Sequence, residues 1–253
     1  MKRKINFVLL TSFASAAAFG AGFTVCSTGF AVATSSGCGA AVVSPAANTL
    51  NADGNWYLAS NQSGSFLSRA FVTVNNAYPL PNSGQLVGPW LANNANDTNG
   101  VGNGSSWVTP TNDQGTVYNN GTYYFSTQFQ MSINEAQNAR VAGYWLADDY
   151  GSGIFLNGTI VGQSSLPIFG GLGGPMVPFS LSNGGIGAGA FTGGTNTLTF
   201  GVINDSTKAL GGQTPTGLRV LISGASVPEP GTLVMLGLGF VGLGIMGRRR
   251  RAV

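Results

Sequence analysis

An all-β body, a β-sandwich or jelly roll of about eight to nine strands, is the fold class this sequence predicts. Two observations point there. Apolar and polar residues alternate in short runs with no sustained helical period, and such runs bury one face of a strand. Glycine accounts for 40 of 253 residues while charged residues make up only 8%, so helix breakers are plentiful and the helix-favouring Glu and Lys are scarce. Short runs joined by Gly/Asn/Pro loops assemble as sandwiches rather than bundles.

The earliest candidate strands are residues 56–59 and 66–74. The clearest alternation comes next. Tyr123, Phe125, Thr127, Phe129 and Met131 share one face, with Tyr124, Ser126, Gln128 and Gln130 on the other. Residues 140–147 form a further strand with Val141 and Trp145 on one side. Runs 153–156 and 159–161 flank Asn157-Gly158, the strongest short hairpin signal. Run 177–181 contains Pro178, which cannot donate to a ladder and so marks an edge strand. Leu198, Phe200 and Val202 alternate with Thr197, Thr199 and Gly201, and Leu218, Val220 and Ile222 close the body. Residues 79–104 and 166–194 are expected to be long loops, suited to surface or ligand-binding segments.

Charge separates the ends from the body. Seven of the eleven cations are Lys2, Arg3, Lys4 and Arg248 to Arg251. Residues 34–227 hold four cations against seven anions, a net charge of −3. The body therefore has no basic footprint for nucleic acid. The chain has no histidine, which excludes His-based zinc sites, Ser-His-Asp and Cys-His triads and histidine-ligated haem.

Residues 1–33 read as a signal peptide, with a basic start, an apolar run from Ile5 to about Gly20 and small residues after it. Ala16-Ala17-Ala18 and Ala31-Val32-Ala33 both suit a signal peptidase, so the cut is expected between 18 and 33. Only the early cut keeps Cys26 with Cys38 for a disulfide in an exported chain. The exported domain is expected over 34–224 and a linker over 225–231.

Residues 232–253 read as one transmembrane helix with an Arg-rich cytoplasmic tail. The span from Thr232 to Met246 has no charge, and Arg248, Arg249, Arg250 and Arg251 follow as a membrane stop. About 16 helical residues reach roughly 24 Å at 1.5 Å each, short of a ~30 Å hydrocarbon core. Arginine stems can snorkel across the difference, and the cluster places the C-terminus in the cytoplasm. Gly237, Gly239 and Gly242 fit G-x-G-x-x-G, but no βαβ unit or later acidic residue accompanies them. A bound dinucleotide is therefore not expected.

Val227-Pro228-Glu229-Pro230, the Gly-rich apolar stretch and the terminal arginines resemble the PEP-CTERM sorting signal of Gram-negative bacteria. The resemblance implies the Sec translocon and signal peptidase as partners for export. It also implies an exosortase that cuts near Pro-Glu-Pro, and delivery from the inner membrane to the envelope or extracellular matrix alongside exopolysaccharide. Residues 120–224 resemble the end of a galactose-binding-like jelly roll. That likeness rests on Trp145-Leu146-Ala147-Asp148, Leu156-Asn157-Gly158 and Asn196-Thr197-Leu198. These motifs mark fold positions and carry no binding residue across.

The expected function is thus that of a non-enzymatic surface or matrix protein with no cofactor. The alternatives are a carbohydrate-binding module and, behind it, a glycoside hydrolase. Trp56, Trp90 and Trp107 lie near loops, where an indole could stack on a sugar; packing is the other reading of each. Asp148 and Asp149 form the one adjacent carboxylate pair. Neighbours on a strand point to opposite faces, so they cannot flank one glycosidic bond as a hydrolase requires. A turn in which Asp accepts from backbone amides is the main expectation, with a calcium or sugar ligand as the other.

Overall fold

The alternation read from the sequence is built into a long central strand. Phe125, Thr127, Phe129 and Met131 are buried while Gln128 and Gln130 are exposed. The computed structural model describes residues 23–29, 38–40, 50–73, 105–112, 118–162, 176–183, 191–205 and 216–226. Among them are β1 (Ala52–Ala59), β2 (Phe66–Val72), β3 (Val108–Thr109), β4 (Gly121–Met131), α1 (Ile133–Asn138), β5 (Arg140–Asp148), β6 (Tyr150–Leu156), β7 (Thr159–Ile160), β8 (Val177–Ser182), β9 (Gly194–Asn204) and β10 (Gly217–Ser226). All the pairings are antiparallel. The strand order is β7-β6-β9-β4-β1-β2-β3-β10-β5-β8. Ten strands replace the expected eight to nine because β3 is two residues long, too short for any period to reveal.

The single sheet folds over on itself into a sandwich. Trp145 of β5 and Phe179 of β8 meet Phe200 of β9 at ring-centroid distances of 5.2 and 5.4 Å, and Trp56 of β1 meets the same ring at 5.6 Å. Phe200 is fully buried and ties four strands from both layers together. Trp145 needs space as well. A Cβ on Gly151 would lie 2.1 Å from its ring, so glycine at 151 lets β6 pass beneath the indole. At the β6–β7 hairpin Asn157 and Gly158 take positive φ of 51° and 83°, the primed turn that matches strand twist. The β8 strand lies at an edge of the sheet, as Pro178 requires.

Packing begins ahead of residue 34, where the sequence reading placed the start of the domain. Phe23 and Val25 belong to the main core, and Phe23 stacks on Phe129 at 5.4 Å. The segment 23–29 fills a gap in the ladder. β3 reaches β10 through one register pair, Leu218↔Val108. Beyond it, Thr28 donates its N–H to the Val220 carbonyl at 3.0 Å and accepts from the Ser106 N–H at 2.9 Å. Its hydroxyl oxygen accepts from the Val220 N–H at 3.1 Å, and the Ser27 hydroxyl accepts from the Ile222 N–H at 3.0 Å.

Three further ties hold this strap. The Trp56 indole N–H donates to the Cys26 carbonyl at 2.9 Å. Cys26 and Cys38 form a disulfide with Cα atoms 5.5 Å apart, and closing a loop of this size stabilises by about 3 kcal/mol. The Asp53 carboxylate accepts from the N–H groups of Gly29, Asn55 and Trp56. Burial pushes the Asp53 carboxyl up from its ordinary 3.8 to about 6, opposed in part by those N–H donors and by Arg69.

Two outcomes are expected. Phe200→Ala should destabilise by about 3–5 kcal/mol through loss of the shared ring, measured by urea unfolding. For Asp53 the folded pKa is raised, so its contribution is full below its unfolded value and is lost as pH rises through about 6. Between about pH 4 and about pH 7 this should cost roughly 2–3 kcal/mol. Asp53→Asn should flatten that part of the profile. Stability curves for the two proteins that stay parallel across this window would show that Asp53 does not titrate there.

Candidate functional site

The end of the sandwich from which the C-terminal segment departs is organised by α1. Ser132 caps it: its hydroxyl accepts from the Glu135 N–H at 3.2 Å, and the Glu135 carboxylate accepts from the Ser132 N–H at 2.6 Å. This reciprocal pair satisfies two backbone donors that a helix start leaves open. Ala136 and Ala139 sit in the core beneath it. The helix escaped a reading of the body as β throughout, because six residues are too few for a period. The Ser-x-x-Glu spacing was the signal that could have found it.

β10 ends beside this helix. It pairs with β5 along its length, the register slipping between Ile222 and Gly224 and then resuming through Ala225↔Val141 and Ser226↔Arg140. Arg140 opens β5 two residues after α1 ends. The last residue of β10 is therefore at the α1 pole, and its backbone is still held in the ladder.

The N-terminal strap starts at the same pole. As the strap advances from Ser27 to Thr28, its partners on β10 move back from Ile222 to Val220, so the two run antiparallel. Phe23 accordingly lies toward the end of β10, against Phe129 near the end of β4 and Phe191 just ahead of β9. Phe23 and Ser226, the first and last described residues, therefore lie toward the same pole.

The other sequence-derived candidates divide. Asp148 and Asp149 lie at the opposite pole, where Gly217 pairs with Asp148 at the start of β10. Both are buried. The Asp149 carboxylate accepts from the Asp205 N–H at 2.7 Å, and the Asp149 N–H donates to the Ile203 carbonyl at 3.1 Å. The Thr216 hydroxyl donates to the Asp148 carbonyl at 3.0 Å. Asp149 thus fastens the end of β9 to the β5–β6 turn, with the backbone-amide bonding expected of Asp at such a place. Among the described residues no three His, Cys, Asp or Glu side chains gather as a metal site.

Trp56 and Trp107 are fully buried, and neither offers a face to a sugar. Trp90 lies outside the described residues, as do residues 1–22 and 30–33 of the signal peptide expected over 1–33, Val227, Pro228, Glu229 and Pro230, the apolar run from Thr232 and Arg248 to Arg251. No helix among the described residues is long and apolar enough to cross a membrane.

No curated protein and no solved structure matches the chain. The body's antiparallel sandwich is compatible with a jelly-roll-like fold. Residues 226–251 match the PEP-CTERM protein-sorting motif. The match takes in the Val-Pro-Glu-Pro tetrapeptide and all four arginines, and it begins on the residue where β10 ends. The chain thus carries, continuous with an interior strand of its sandwich, a PEP-CTERM sorting motif, which indicates an exosortase-sorted exported protein.

Proposed function

We propose that this protein is a non-enzymatic component of the cell surface or extracellular matrix, held first in the inner membrane by residues 232–246 and then released by an exosortase at Pro228-Glu229-Pro230. The observation that carries this reading is the sorting-motif match over 226–251. The Sec translocon and signal peptidase deliver the body to the outer side of the membrane. The arginines stop transfer at the inner side.

The position of the motif supports the reading. Pro228 follows the last paired residue by two positions. Prolines cannot continue a ladder or enter a helix interior, so the residue types at 228–230 by themselves favour an extended backbone. An extended stretch is what a protease must bind. Three of the described carboxylates support a structural role for the body: Asp53, Glu135 and Asp149 each accept from backbone N–H groups. Association with exopolysaccharide is the matrix role that goes with this sorting route. It requires a surface other than the buried Trp56 and Trp107 indoles.

Intact-mass measurement of the exported protein tests the reading. The product is expected to lack Arg251-Ala252-Val253, and Glu229→Ala is expected to leave an uncut precursor in the inner membrane. A wild-type product that keeps its full C-terminus would make the tail a permanent anchor.

A further inference from the structure

Signal peptidase has two candidate sites in this chain, and the packing of residues 23–29 separates them. Six of these seven residues are buried. Removing the strap would strip partners from the Val220 N–H and carbonyl, the Ile222 and Ser106 N–H groups, and the fully buried Trp56 indole N–H. Buried polar groups in native proteins almost always keep a partner. It would also uncover Phe129 and Phe191, on which Phe23 packs.

The disulfide supplies an independent argument. Ala31-Val32-Ala33 lies between Cys26 and Cys38, inside the loop that the bond closes. A cut there would leave the leader tied to the body through sulfur. Ala16-Ala17-Ala18 lies ahead of both cysteines and ahead of Phe23, so a cut there frees the leader and spares the strap.

We propose that the signal-peptide cut lies upstream of Phe23, at Ala16-Ala17-Ala18, and that residues 23–29 with the Cys26–Cys38 disulfide belong to the mature protein. The inference rests on the export reading above. The step is hydrolysis of the peptide bond after Ala18, water supplying OH to the Ala18 carboxyl and H to the new Phe19 amine. The two thiols then pass two electrons and two protons to a disulfide-bearing oxidase of the envelope.

The test uses the full chain, expressed with its own leader in a Gram-negative host. The exported product is analysed by N-terminal sequencing and by intact mass with and without reductant. The expected N-terminus is Phe19, and the non-reduced mass should be lower than the reduced mass by two hydrogens. A reduced product that starts at Thr34, or anywhere after Phe23, overturns the inference while leaving export intact. A wild-type chain that keeps Met1 defeats the export reading itself, and the inference with it. Two variants guard the result: Ala18→Leu should accumulate uncut precursor, whereas Ala33→Leu should leave the N-terminus unchanged. The reverse pattern also overturns the proposal.

Discussion

Thr28 bridges Val220 of β10 and Ser106 just ahead of β3, where the sheet has least pairing of its own. β3 contributes two residues, one of which pairs with β10. Past that point the backbone of Val220 would have no strand to bond on that side. Thr28 takes both the Val220 N–H and carbonyl while accepting from Ser106. β10 is thereby bonded on both sides and buried on both faces from Leu218 to Leu221, the condition under which backbone groups must find partners within the protein. β3 and β10 also lie, in the strand order, between β5 and β8 on one side and the strands that carry Trp56 and Phe200 on the other, yet the Phe200 ring meets Trp145 and Phe179 across the sandwich as well as Trp56.

The same strap gives the molecule its polarity. Because it runs antiparallel to β10, the start of the strap at Phe23 and the end of β10 at Ser226 lie toward one pole. A precursor anchored at its C-terminal end would present that pole to the membrane and the Asp148–Asp149 pole away from it. The motif starts where the ladder stops, so very little chain separates the folded body from Pro228-Glu229-Pro230, the proposed processing site. Release at Pro-Glu-Pro would leave β10 and all its pairings in place. Sorting and folding can then proceed without disturbing each other.

Most strands were legible because their alternation is a local property. Phe125, Phe129 and Met131 on one face, and Asn157-Gly158 at a turn, announce themselves within a few residues. The capping box at Ser132 and Glu135 was equally local, yet it was masked by the β pattern on either side. Trp56 and Trp107 were ambiguous for a different reason. An indole near a loop reads the same whether it faces solvent or is covered, and only the folded packing buries both.

The sequence by itself determined the all-β class, the main strands and the sorting motif, since each is written in contiguous residues or in a short repeat. Only the tertiary structure decided that residues 23–29 pack with the body, that Cys26 meets Cys38, and that Phe23 and Ser226 lie toward one pole. The reason is physical: Phe23, Ser27 and Thr28 show no strand period, and their partners Phe129, Ile222 and Val220 are remote in sequence. Their role exists only where β3 is too short to complete the ladder beside β10, and that place is set by pairings between strands remote in sequence.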